Sequence, residues 1–205
     1  MVNVIKALLK RWGPPAVKKR IWDREFANGK WDYMDAATRA KAERDFVFDV
    51  IERYSPGADI LDLGCGSGST GLELTEGYRS YVGVDVSEVA IAKAAATPCS
   101  DSRKATNQYL VGDVLTFTPA GRYSIIVFRE SLYYCPEKGI ASLLNRYADY
   151  LNPGGVFIVR LHDRVKYQRI IQIIESAYHV GERVAASGGK SIVLVFSPVA
   201  ERVSQ

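Results

Sequence analysis

Histidine and cysteine are scarce in this 205-residue chain, which has two histidines (His162 and His179) and three cysteines (Cys65, Cys99 and Cys135). Neither set has the spacing of metal ligands, which excludes a metal centre built from them. The cysteines are not paired in spacing, so no disulfide framework is indicated. With no secretory leader, they read as reduced thiols of a cytoplasmic protein. No apolar run approaches the roughly 20 residues needed to cross a bilayer. Acidic residues are missing from positions 1–22, which carry six basic side chains: Lys6, Lys10, Arg11, Lys18, Lys19 and Arg20. Setting those six aside leaves 21 basic against 23 acidic residues, so the formal charge of +4 is local to that segment. The rest of the chain is not basic enough for a nucleic-acid partner.

That basic segment carries an apolar stripe, Val4, Ile5, Leu8, Leu9 and Trp12, at helical spacing. The expectation is a terminal helix packed on the protein through the stripe, with its basic face in solvent. Contact of residues 3–20 with a membrane surface or an anionic substrate is the second reading. Gly13-Pro-Pro ends this helix. Ala40, Val47, Val50, Ile51 and Tyr54 then set one face of another, which stops before Ser55-Pro56-Gly57.

The richest stretch is Ile60-Leu-Asp-Leu-Gly-Cys-Gly-Ser-Gly-Ser-Thr70, a short apolar strand running into Gly64, Gly66 and Gly68. A glycine turn between a strand and a helix start lets a ligand approach the backbone and the unpaired N–H groups there. Cys65, inside the turn, reads as a small filler. Tyr81–Asp85 is a second buried strand ending in an acid, with Ser87 placed to cap the next helix. Gln108–Val111 is a third, with Asp113 just past it. An acid at the tip of the second strand suits ribose hydroxyls, and a third-strand acid suits an adenine amine. Strands at about 58–63, 80–85, 107–111, 123–128 and 154–161 alternate with helices, which predicts a doubly wound α/β sheet. Ile140, Leu143, Leu144, Tyr147 and Leu151 mark the helix before the fifth strand, and Ile170, Ile173, Ile174 and Ala177 the one after it. Tyr178–Ala185 and Ser191–Ser197 flank Ser187-Gly-Gly-Lys190, a hairpin signal. Residues 97–106 read as a polar surface loop.

From about 58 to 161 the chain resembles the class I S-adenosylmethionine-dependent methyltransferases. The resemblance rests on the glycine turn, Val82-Gly-Val-Asp-Val-Ser87, Gly112-Asp-Val114 and Leu151-Asn-Pro-Gly-Gly-Val-Phe-Ile158. It implies a mostly parallel seven-stranded Rossmann-like sheet with an antiparallel last strand, an N-terminal helical cap or lid over residues 1–54 and a core over 55–205. It implies S-adenosyl-L-methionine as cofactor, with Gly64 and Gly66 at its methionine part and Asp62 supporting the loop. Asp85 and Val86 then lie at the ribose, Asp113 and Val114 at the adenine, and Glu130 and Trp31 beside the cofactor. The segment Trp22–Tyr33 resembles the entry region of small bacterial methyltransferases acting on sugars, glycans or secondary metabolites. There Trp31 or Tyr33 supplies an aromatic face to a sulfonium.

Open α/β sheets bind ligands at the carboxyl ends of their strands. The fourth strand delivers Arg129, Glu130, Tyr133 and Tyr134 to that edge, and the fifth delivers His162. Arg129, Tyr133, Tyr134 and Tyr33 are therefore the candidate substrate contacts. His162 is the leading proton acceptor and Glu130 the second. The Asn/Asp-Pro-Pro-Tyr/Phe signature of nucleobase and glutamine methylases is replaced by Arg129-Glu-Ser-Leu-Tyr133, which favours a small-molecule or glycan acceptor. Two readings stay open from sequence. One is a nicotinamide-dependent oxidoreductase, opposed by Asp113 and the final hairpin. The other is a non-enzymatic binding or scaffold module, opposed by the intact Gly64, Gly66, Asp85 and Asp113.

Overall fold

In a computed structural model, described for residues 2–34, 45–75, 77–185 and 188–199, the chain forms one seven-stranded sheet flanked by helices. The strands are β1 (Asp59–Leu63), β2 (Ser80–Asp85), β3 (Asn107–Val111), β4 (Tyr123–Arg129), β5 (Leu151–Leu161), β6 (Tyr178–Ala185) and β7 (Ile192–Pro198). Their order is β3-β2-β1-β4-β5-β7-β6; β1 to β5 pair in parallel, and β7 runs antiparallel between β5 and β6. The doubly wound sheet with one antiparallel strand is therefore present. Ala40 and Ser187, used above for a helix face and for the hairpin, lie outside the described residues.

The strands are nearly continuous apolar runs because both sheet faces are covered. Successive residues serve opposite layers. Ile60, Ile125, Ile158 and Val193 pack with Phe48 and Ile51 of the helix Val47–Tyr54. Leu61, Ile126, Phe157 and Leu194 pack with Ile140, Leu144 and Tyr147 of the helix Ile140–Ala148 and with Ile170 and Ile174 of the helix Gln168–Ala177. The helix Val47–Tyr54, which the sequence reading grouped with the cap, thus forms part of the sheet's own core layer. Leu151, read as the end of a helix, instead opens β5, its backbone paired in register with Tyr123.

Two local expectations change. Residues 101–106 are a short helix rather than loop, because Ser100 caps it by accepting from the Arg103 N–H at 3.3 Å. Arg103 then reaches back to the carbonyls of Gly71 and Leu74. The first helix, Val2–Trp12, is turned the other way round from expectation. Ile5, Leu8 and Trp12 are 54%, 54% and 59% exposed, whereas Lys10 is only 7% exposed; the side chain of Val4 is not among those described. The cause lies in the second helix, Pro15–Ala27, whose Glu25 is buried and needs cations. Lys6 and Lys10 reach that carboxylate, and the Arg11 Nε donates to the Cys135 carbonyl at 2.9 Å. Satisfying a buried carboxylate outweighs burying the stripe. Among the described residues, no helix is long and apolar enough to cross a membrane.

Candidate active site

The carboxyl ends of β1, β2 and β4 enclose a cavity roofed by the first two helices. After β1, Gly64 (φ +83°), Gly66 (φ +56°) and Gly68 (φ +81°) all take left-handed backbone conformations. A Cβ on Gly64 would lie 2.4 Å from that of Ser131, so the turn packs directly against the loop after β4. A Cβ on Gly66 would project toward Phe26, its nearest neighbour at 3.4 Å. Gly64, Gly66, Asp85, Val86, Asp113 and Val114 all line this cavity. Asp85 accepts from the N–H of Gly66 and of Ser87, both at 2.9 Å. Its burial pushes the carboxyl up to about 6, against those two hydrogen bonds, which pull it down. The Ser87 hydroxyl accepts from the Ala90 N–H at 3.1 Å, the cap expected of it.

Asp62 sits behind the turn, fully buried, with Oδ2 accepting the Tyr81 hydroxyl at 2.7 Å; burial raises its pKa. Cys65 is buried too, and desolvation raises its thiol well above the ordinary value, the opposite of an activated nucleophile.

The second helix supplies groups that no local pattern indicated. The Lys18 Nζ donates to Asp113 Oδ2 at 2.5 Å, and Asp23 Oδ1 accepts the Ser87 hydroxyl at 2.7 Å. Lys10, Lys18, Trp22, Phe26 and Trp31 line the roof. Glu25 accepts from Trp31 Nε1 at 3.0 Å, and Lys10 lies 3.6 Å from the centre of the Trp22 ring. Tyr33 is 60% exposed and rests against Trp31, outside the cavity lining.

At the end of β4, Arg129 turns inward. It is 7% exposed, its Nη1 donates to the Ser69 hydroxyl at 2.8 Å, and its Nε has no protein partner among the described residues. This position is in the glycine turn's wall rather than on the rim. Glu130 is the one non-glycine residue with positive φ among those described (φ +57°). Such a conformation costs about 1 kcal/mol or more and needs support. Three donors hold its carboxylate: Arg160, the Tyr133 hydroxyl at 2.8 Å, and His162, whose Nδ1 stands 2.5 Å from Oε2. Glu130 and His162, read from sequence as rival bases, are therefore one unit. Nδ1 is the ring nitrogen that faces the carboxylate, so a proton on Nδ1 donates to Glu130 and leaves the Nε2 lone pair free of it. Tyr133 and Tyr167 stack at 4.4 Å, and the His162 ring stands edge-on to both. Burial raises the Tyr133 and Tyr134 hydroxyl pKa values.

Residues 60–155 match a family model described as "Methyltransferase domain". Over 119 residues, 57% of this chain, the sequence is 33% identical to trans-aconitate 2-methyltransferase of Streptomyces avermitilis. Over 63% of the chain it is 28% identical to the protein of that name in Deinococcus radiodurans. These matches span 44% and 48% of the relatives' length, less than half of each. Among solved structures, the N-methyltransferase NodS of Bradyrhizobium japonicum WM9, in complex with S-adenosyl-L-homocysteine, superposes with a TM-score of 0.65. That alignment covers 88% of this chain and 97% of the other at 20% identity, so the likeness concerns the fold. The residues present fit S-adenosyl-L-methionine, since the glycine turn at Gly64 and Gly66 and two acids at successive strand ends line one cavity. The antiparallel β7 and the matched domain set aside the nicotinamide-dependent reading, and residues 60–155 are similar to the methyltransferase domain family.

Proposed function

We propose that the protein methylates an oxygen or nitrogen of a small polar acceptor, a sugar or another metabolite, at the carboxyl ends of β4 and β5. The observation that carries this reading is the Glu130–His162 pair. Glu130 lines the cofactor cavity and His162 lines the cleft next to it. When bound, the cofactor supplies an electrophilic methyl on a positively charged sulfur, which leaves as a neutral thioether. Gly64 and Gly66 admit its methionine part to the backbone, with Asp62 behind them. Asp85 accepts the ribose hydroxyls beside Val86, Asp113 takes the adenine amine beside Val114, and Trp31 closes the roof. Arg129 braces the turn through Ser69, while Tyr133 and Tyr134 face the acceptor. His162 Nε2 takes the proton that a hydroxyl gives up as it attacks, or that an ammonium loses beforehand to become the attacking amine, and Glu130 orients the ring. Positioning contributes alongside this proton transfer. A screen of methyl acceptors for S-adenosylhomocysteine release tests the reading; release that no acceptor stimulates counts for a scaffold module.

Cofactor affinity should depend on pH through Asp85, because only the ionised carboxylate accepts two ribose hydroxyls. With the carboxyl at about 6, affinity for S-adenosylhomocysteine rises as pH rises through that value. At pH 5 it should be about tenfold below its plateau near pH 8. Stability of the unliganded protein runs the opposite way. A folded-state pKa above the ordinary 3.8 contributes stability that is complete below 3.8 and lost as pH rises through about 6. Titration calorimetry at the two pH values checks the slope, and Asp85→Ala should remove it and weaken binding about tenfold. An affinity flat across this range would detach Asp85 from the ribose.

The first two helices and Trp22–Tyr33 act as a lid in this reading. Lys18–Asp113 and Asp23–Ser87 pin them over the cavity, so entry of a cofactor requires those contacts to part. Amide exchange in Trp22–Tyr33 should slow on adding S-adenosylhomocysteine. Equal exchange with and without it would make the segment a fixed cap.

A further inference from the structure

The cleft beside the cofactor cavity has a charge imbalance that the described residues do not neutralise. Its walls hold five cationic side chains, Lys6, Lys10, Arg11, Lys30 and Lys166, against the single carboxylate of Glu25. Glu25 is 3% exposed and takes three ammonium groups at once: Lys6 at 2.7 Å, Lys10 at 2.6 Å and Lys30 at 2.9 Å. One buried carboxylate balances one of them. Burial lowers the Lys10 pKa, Glu25 opposes that, and the neighbouring Lys30 and Lys6 lower it further. On the opposite wall, the Lys166 Nζ lies 5.2 Å from the Tyr167 ring centre, beside the Tyr133–Tyr167 stack.

The cleft also meets the reacting end of the site. Lys10 and Tyr134 line both it and the cofactor cavity, and His162 lines the cleft. A small molecule lying in it meets these cations and His162, which Glu130 holds from the neighbouring cavity. Clefts lined by one sign of charge concentrate ligands of the other sign.

We propose that the acceptor is an acid: a small molecule whose carboxylate or phosphate docks on Lys6, Lys30 and Lys166 while its methyl-accepting atom lies at His162. This rests on the methyltransferase reading and narrows it, since an uncharged sugar leaves the lysines unbalanced where a sugar phosphate or a polycarboxylic acid does not. Lys6 and Lys30 hold Glu25 with one donor each and keep side-chain exposures of 38% and 53%, so both have N–H groups left for a ligand.

The test titrates citrate, glucose 6-phosphate and glucose into the 205-residue chain saturated with S-adenosylhomocysteine. Both anions should bind and glucose should not, and the stronger anion tells carboxylate from phosphate. The triple variant Lys6→Gln, Lys30→Gln, Lys166→Gln should bind the anions at least about tenfold more weakly. The corresponding triple arginine variant keeps the charge and should restore anion binding. Glucose binding as well as the anions, neither anion binding, or anion affinity unchanged in the triple glutamine variant would each overturn the proposal. Failure of S-adenosylhomocysteine itself to bind is a different result and overturns the methyltransferase reading instead.

Discussion

Replacing His162 with alanine should lower kcat by about 10²-fold or more while leaving affinity for S-adenosylhomocysteine nearly unchanged. General-base catalysis contributes roughly 10²–10⁴-fold. Glu130 is fully engaged by Arg160, Tyr133 and His162 itself, so removing the imidazole does not free a carboxylate at the position of Nε2. Glu130→Gln should act through the histidine. Its amide no longer favours the Nδ1–H tautomer, so kcat falls with little change in KM for the acceptor. The double variant should be little worse than His162→Ala alone, since the two residues serve one proton transfer. Steady-state kinetics on any acceptor that stimulates S-adenosylhomocysteine release reads all three. A kcat like the original's in His162→Ala would rule the base out and point to a nucleophile that arrives already deprotonated.

Gly66→Val should nearly abolish cofactor binding, weakening it by about 10²-fold or more. Two costs combine. The residue sits at φ +56°, where a β-branched side chain costs about 1–2 kcal/mol. Its side chain also projects into the cavity toward Phe26, taking space that the methionine part of the cofactor needs. At about 1.4 kcal/mol per decade, a loss near 3 kcal/mol gives the stated factor. The Gly66 N–H also donates to Asp85, so a shifted turn disturbs the ribose acceptor too. Gly64→Val is a poorer probe, because its Cβ would strike Ser131 at 2.4 Å and disturb folding as well. Circular dichroism of Gly66→Val should show the native fold; an undiminished titration isotherm would show that the turn does not hold the cofactor.

The sheet was legible because parallel strands covered on both faces are apolar without interruption. Ile60–Leu63, Tyr81–Val84 and Ile125–Phe128 could hardly be anything else once a glycine turn or an acid ended each. The cavity's acids were legible for a related reason, since Asp85 and Asp113 stand at fixed places relative to strand ends. The failures concern charge. The stripe on Val2–Trp12 has the periodicity of a packed face, yet periodicity says nothing of a buried carboxylate on another helix, and Glu25 decides the orientation. Lys18 lies 95 residues from the Asp113 it meets, so no window along the chain joins them. The pairing of Glu130 with His162, across 32 residues, likewise depends on β4 and β5 being neighbours in the sheet. Short polar helices such as 101–106 escape pattern reading because a cap and one arginine, not an apolar face, hold them.

Calorimetric titration of the full chain at pH 8 with S-adenosylhomocysteine, and separately with NAD, tests most directly whether this cavity is built for an adenosyl sulfonium. One S-adenosylhomocysteine should bind per chain, no heat should appear with NAD, and Asp85→Ala should weaken the first about tenfold. Binding of NAD in its place, or of neither ligand, would contradict the assignment of the site.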